Sequence, residues 1–419
     1  MSALTRCCTT GVLLASGLGL RCLQAQDLSL DEARRRAIEV SPDLSAARAA
    51  AEAATARLHQ AGAFPNPVLT YAREQTSAAG LTTWQNIALF EQQLDFGGQR
   101  GARRAAAGLR REAALARLAA RETELIYEVT RAYATSAAAD QRAARASEAA
   151  EAFVRARRVT AQRLASGDIS GYASRRIGLE AARYATLRAE AELTRRTARL
   201  ALAALLGTSG DSALALGLRL DDALAVFPPT PPIDSLRAMA MRSRREVRAA
   251  EAETEASAAD ARAARRESFP GPLAGLGFKN ERAAGGTQIT SGFVLQVALP
   301  MPLWDRRRSA SSAFEAEGRE RAALVTRLHR DITREVETAW AALHAVEEQL
   351  AAIRPELGES SRAALQAAEA AYTEGEISLV EWLDAVRAYQ EAESSFATLQ
   401  AEYVIQRAAL ERAVGARLN

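Results

Sequence analysis

The chain is nearly without sulfur chemistry. Its three cysteines, Cys7, Cys8 and Cys22, all fall within the first 26 of 419 residues. Residues 1–26 combine Arg6 near the start, an apolar stretch from Gly11 to Leu20, and Leu23, Gln24, Ala25 and Gln26 before the polar Asp27. That is the layout of a secretory signal peptide cleaved near Ala25 or Gln26, and it is too short to span a bilayer. The mature chain then has no disulfide and no thiol nucleophile. Cys22 is the one candidate for lipid attachment, with Arg21 before it a poor fit to the small residue such a site needs.

Large side chains are also scarce. Aromatic residues make up 5% of a chain that is 48% hydrophobic, so much of the apolar content is alanine. A compact globule draws its core from larger residues. Long helices packed closely through small residues explain the composition better. The net charge is only +3, with acids and bases interleaved, which argues against a nucleic-acid partner. After the signal no run of 18 apolar residues occurs, so a membrane role must be carried by strands. Histidine is limited to His59, His329 and His344, no two of them four apart. With no mature cysteine, this leaves no metal-ligand set, and Met239, Met241 and Met301 form no soft-metal relay. Nothing resembles a catalytic constellation or a cofactor motif.

What is present is a turn, twice. Residues 163–170 read RLASGDIS and residues 372–378 read YTEGEIS. Gly167 and Gly375 are 208 apart, and so are Gly207 and Gly415, which follow the helical text after each turn. Matching text at one offset points to two tandem units of roughly 200 residues. They span 27–207 and 234–419, joined by a linker at 208–233 that contains Pro228, Pro229, Pro231 and Pro232.

Each unit has one stretch of strand-forming text, at about 66–95 and about 272–300. In the first, Val68, Thr70, Tyr71, Thr82, Thr83, Trp84, Ile87 and Phe90 flank a loop at Ala78, Ala79 and Gly80. In the second, Ile289, Ser291, Phe293, Leu295, Val297 and Leu299 alternate with smaller or more polar residues, the pattern of a barrel strand with lipid on one side and water on the other. Between hairpin and turn lie about 69 residues in each unit, which as one helix would reach about 100 Å. Ile332, Ala339, Val346 and Ile353 recur every seven residues, as do Val336, Leu343, Leu350 and Leu357, and Tyr389, Phe396, Tyr403 and Leu410. That period predicts coiled-coil packing, with Pro355 bending the outgoing helix. The fold class expected is mainly α with a β membrane part.

Four strands per chain would leave two sheet edges unpaired in lipid, so a barrel must close by association, two chains giving 8 strands and three giving 12. The opening LSLDEARRRAIEVSPDL, the AGAFPNP before the first strand, QLDFGGQR and PLWDRRR after the hairpins, and GEISLVEWLDAVRAYQEA at the second turn resemble the TolC family of outer-membrane efflux proteins. The resemblance covers almost the whole mature chain. It implies a homotrimer in the outer membrane with a 12-stranded barrel and a long periplasmic α-helical tunnel. It also implies a membrane-fusion adaptor and an inner-membrane pump as partners. The PNP-type start and compact length are most similar to the branch paired with heavy-metal-cation pumps of the resistance–nodulation–division type. Related branches export drugs or proteins, and a purely structural periplasmic coiled coil is the alternative from another class.

Within that resemblance, Glu381 and Asp384, three apart on one helix face, match acids at a cation-sensitive constriction near the periplasmic entrance. Read alone, the same spacing also fits a solvated face with Asp384 paired to Arg387. Tyr372 matches a position that helps hold the entrance closed. The turn residues Gly167, Asp168, Ile169 and Ser170, and Gly375, Glu376, Ile377 and Ser378, match the surface offered to adaptor hairpins. Taken simply as helix–turn–helix text, they give Gly at positive φ and Ser as N-cap, with Ile169 and Ile377 facing outward.

Overall fold

In a computed structural model of the chain, residues 27–208, 217–218, 230–283, 285–353 and 359–418 are described. The signal peptide expected at 1–26, most of the linker expected at 208–233 and the bend expected at Pro355 lie outside them. A two-residue strand, Asp27–Leu28 (β1), leads into helices Leu30–Val40 (α1) and Pro42–Ala61 (α2). Ser29 and Ser41 cap these helices, their hydroxyls accepting the N–H of Glu32 at 3.2 Å and Leu44 at 3.3 Å. Pro42 sits at the first helical position, where its missing N–H leaves no bond unmade.

Strands Val68–Ala78 (β2) and Leu81–Gln93 (β3) follow. Ala78, expected in the loop, is instead the last paired residue of β2, opposite Leu81. The turn is only Ala79 and Gly80, both at positive φ (51° and 78°), the geometry that matches strand twist in a two-residue hairpin. Helix Gln99–Ser166 (α3) then runs 68 residues without a break, about 100 Å. It is followed by Gly171–Leu205 (α4) and a short strand, Gly217–Leu218 (β4), which pairs in parallel with β1.

The second half contains helices Ile233–Ser243 (α5) and Arg245–Glu267 (α6), strands Leu273–Arg282 (β5) and Ile289–Ala298 (β6), and helices Arg308–Ile353 (α7), Glu359–Glu374 (α8) and Leu379–Val414 (α9). The break between α5 and α6 falls at Arg244 and was not expected from the uninterrupted helical text. Its cause is tertiary. The Arg244 side chain is only 6% exposed, lies against Glu246 and Glu335, and donates to the carbonyls of Arg412 and Ala413 at the end of α9.

The four long strands form one antiparallel sheet in the order β2-β3-β5-β6. The helices continue the same order, α2 against α3, α3 against α6, and α6 against α7. Three apolar clusters hold the helices together. The largest carries the seven-residue rows on α7, with Ile332, Val336, Leu343, Val346 and Leu350 buried against Tyr403, Leu410 and Val414 of α9. A second joins α1 and α2 to α3 and α4 through Ala33, Ala37, Leu44, Leu125, Val129, Tyr133 and Leu202, and the Tyr133 hydroxyl donates to the Leu28 carbonyl at 2.6 Å. The third lies at the turns. No described helix is long and apolar enough to cross a membrane.

Candidate functional site

Two regions stand apart from ordinary packing, the sheet at one end and the pair of turns at the other. Cross-strand register sorts the sheet residues into two faces. On one face, Leu69, Phe90, Leu276 and Leu295 stand directly opposite one another across all four strands. The next row is Tyr71, Ala88, Phe278 and Phe293. These side chains are open to solvent, Phe293 by 87% and Leu295 by 79%. The opposite face is mixed, with the polar rows Glu91–Gly275–Gln296 and Glu74–Gln85–Glu281–Thr290 and the small residues Gly277 and Gly292, and with Leu89, Ile87 and Val294 between them. Glu91 there accepts from Thr70 at 3.0 Å and from Gln296 at 3.4 Å, while Lys279 pairs with Glu281 at 3.0 Å. Strands β2 and β6 are the sheet's edges, without a partner strand among the described residues.

At the far end of the helices the two turns share the same pair of closing backbone bonds. Gly167 (φ 84°) ends α3, with its N–H on the Leu164 carbonyl and that of Asp168 on Arg163. Gly375 (φ 86°) ends α8 in the same way, with its N–H on Tyr372 and that of Glu376 on Ala371. Only glycine takes that backbone without cost, and the bonds satisfy carbonyls a helix end would leave open. Ser170 and Ser378 then cap α4 and α9.

The caps differ in one respect. The Glu381 carboxylate accepts the Ser378 N–H at 2.7 Å while Ser378 Oγ accepts the Glu381 N–H at 3.3 Å, a reciprocal pair that Ala173 cannot form in the first turn. The Ser378 N–H, followed by its hydroxyl, holds the Glu381 carboxyl below the usual carboxylate range. Asp384 is 68% exposed and stands 3.9 Å from Arg387, whose closer partner is Glu180 on α4. Glu381 and Asp384 are thus both open to solvent on one flank of α9, and only Glu381 is fixed.

Tyr372 is buried. It stacks on Trp382 (centroids 5.2 Å, 19° between planes), which meets Phe153, which in turn stacks on Tyr184 at 4.1 Å. This aromatic cluster draws on α3, α4, α8 and α9 and locks the two turns side by side. Arg163 adds a bond to the Thr373 carbonyl at 2.7 Å and lies over the Tyr372 ring. Sequence reasoning passed over Trp382, Phe153 and Tyr184. Their signal was rarity, large rings within alanine-rich text near both turns. Ile377 and Ile169 do not face outward as expected, since both are half-buried. Ile377 packs on the cluster that contains Trp382, because an apolar residue just before an N-cap folds back onto the first turn. Gly167, Asp168, Ser170, Gly375, Glu376 and Ser378 are exposed. Among the described residues no three His, Cys, Asp or Glu side chains come together as metal ligands.

A mainly helical chain with one four-stranded antiparallel sheet, apolar on an exposed face, has the fold of outer-membrane channels. Residues 33–208 and 236–416 match the family described as outer membrane efflux protein, and the chain belongs to that family. Over 284 residues it is 28% identical to the cobalt-zinc-cadmium resistance protein CzcC of Cupriavidus metallidurans. That match spans 68% of this chain and 65% of CzcC, just under two thirds of the relative's length. The solved structure of CusC superposes with a TM-score of 0.72 at 19% identity, over 93% of each chain. The outer membrane protein VceC from Vibrio cholerae superposes at 0.69 and 18%, over 93% of this chain and 97% of that one. At such identities the structural likeness is one of fold. By family the protein is thus an outer membrane efflux protein, and solved structures that share its fold, such as OprN, are described as outer-membrane channels.

Proposed function

We propose that this chain is the exit duct of a tripartite efflux system, conducting cargo passively from a periplasmic adaptor and an inner-membrane pump to the exterior. The observation that carries this reading is the sheet, with large apolar rows exposed on one face and all of the Glu91, Glu74, Lys279 and Glu281 charges on the other. Two unpaired edges in lipid would each leave a line of N–H and C=O groups costing several kcal/mol apiece, so β2 of one chain pairs with β6 of the next. Three chains give 12 strands and a lumen, and the long helices of three chains wrap the tunnel below. Two tandem units, each supplying one hairpin and one helical turn, fit the same reading. A purely structural periplasmic coiled coil would leave the apolar face in water, where a patch this large is a liability.

In this reading Glu381 and Asp384 form carboxylate rings near the periplasmic mouth, and the turns at Gly167–Ser170 and Gly375–Ser378 receive the adaptor. The cargo proposed is heavy-metal cations, supported by the likeness to CzcC, with drugs or proteins as the alternative cargo of related systems. The pump is then of the resistance–nodulation–division type. Two measurements test this. Outer-membrane fractions should contain a heat-modifiable trimer, and a soluble periplasmic monomer would overturn the duct. Deletion of the gene should sensitise cells to divalent cobalt, zinc or cadmium, and unchanged metal tolerance alongside drug sensitivity would overturn the cargo.

A further inference from the structure

Beyond the two apolar rows, toward the hairpin turns, the same sheet face changes character. The Tyr71 hydroxyl donates to Asn86 Oδ1 at 2.9 Å, and Asn86 Nδ2 donates to Asn280 Oδ1 at 2.9 Å, closing the apolar band with a polar row. Next come Arg73, Trp84 and Arg282. Register puts all three on that face, Arg73 in the row of Asn86 and Asn280, and Trp84 directly opposite Arg282. Both guanidinium carbons lie over the Trp84 ring, each 5.6 Å from its centroid. Both arginines are exposed, and neither has a carboxylate partner among the described residues. On the other face the single lysine, Lys279, is paired with Glu281.

Two cations beside one indole, at the edge of an apolar band and without a carboxylate partner among the described residues, are poorly explained by packing. A cation–π contact restrains a long side chain and leaves the guanidinium's donors free to hold an oxyanion through two hydrogen bonds. Tryptophan and arginine at such a level mark a membrane–water boundary, where the apolar ring meets hydrocarbon and the charge meets headgroups. The hairpin turns lie at the end of the sheet away from the helices, so the boundary in question is the outer one.

We propose that Arg73, Trp84 and Arg282 form a seat for the phosphate of a phosphorylated glycolipid headgroup in the outer leaflet. The proposal rests on the barrel reading above, which sets this face toward lipid. A closed ring of three chains would carry six such guanidiniums, two per seat. Arginine suits the role because its planar fork can bind phosphate in two-point fashion.

The test uses the full-length trimer purified in detergent. Its thermal transition is followed with mixed micelles containing diphosphoryl lipid A, or the same lipid with its phosphates removed. Diphosphoryl lipid should raise the midpoint by several degrees and dephosphorylated lipid should not. An equal rise with both overturns the proposal, and this arm needs no variant. In the Arg73→Gln/Arg282→Gln variant more than half of the phosphate-dependent rise should vanish, while Arg73→Lys/Arg282→Lys should keep a part of it. A full rise in the Gln variant overturns the assignment of these residues. A protein that yields no heat-modifiable trimer fails the barrel reading instead, and that outcome is read on a gel before any lipid is added.

Discussion

Glu381 holds two possible roles at one position, and they separate by substitution. As a cap it needs only an oxygen that accepts the Ser378 N–H, which glutamine also supplies. As part of a carboxylate ring it needs its charge. Glu381→Gln should therefore leave trimer assembly intact, with only the local loosening of the first turn of α9 that neutralisation brings, while lowering cation-over-anion selectivity in single-channel recordings, and unchanged selectivity would make the residue a cap alone. Ser378→Ala removes the acceptor for the Glu381 N–H and should cost about 1 kcal/mol locally. The carboxyl's folded pKa is depressed, so its contribution is present above the unfolded value and is lost as pH falls through the lower folded one. Hydrogen exchange in the first turn of α9 should accelerate only in that acid window. Trp382, 1% exposed at the centre of the ring cluster, is the residue on which the paired turns depend most. Trp382→Ala should cost about 3–5 kcal/mol and expose the turns to protease. Tyr172→Ala, at a residue 74% exposed nearby, should change little.

At the scale of elements, the strands give the sharpest expectations. A Cβ on Gly277 would sit 2.3 Å from the Ala88 carbonyl oxygen of the neighbouring strand, whereas one on Gly292 meets nothing within 4 Å. Gly277→Ala should therefore reduce the yield of folded trimer, and Gly292→Ala should not, as seen on a heat-modifiability gel. The faces differ in the same way. Leu295→Arg sets a charge in the apolar row and should cost about 2–4 kcal/mol if that row lies near the bilayer midplane, while Gln296→Arg on the polar face should assemble normally. The alternation of Phe293, Leu295 and Val297 made β6 legible in the sequence because each residue answers to one face. β3 was less plain, since Leu89 packs toward the polar face over Gly275 and Gly277, and so breaks the alternation. The helix break at Arg244 was not legible at all. Its determinants are the end of α9 and Glu335, some 91 to 169 residues further along the chain. The turns were legible because glycine at positive φ followed by a serine cap is a local device, yet the inward direction of Ile377 depended on Trp382.

At the scale of the molecule, the edges of the sheet decide the assembly. The sequence carries no cysteine beyond residue 22, so single cysteines placed on β2 and β6 would be the only thiols downstream of it. Bridging them with a bifunctional reagent should yield covalent trimers and nothing larger. A ladder ending at two chains would replace the 12-stranded barrel with one of eight. The order β2-β3-β5-β6 also bears on how the protein comes to exist. Each hairpin joins neighbours a few residues apart, but the central seam joins Trp84 to Arg282, 198 positions later, so it closes only after nearly the whole chain has been delivered. Until then the first hairpin waits with its greasy face bare and both edges open, the state most prone to aggregate. Biogenesis should accordingly hinge on a holding chaperone during transit, with the first half of the chain as its principal client.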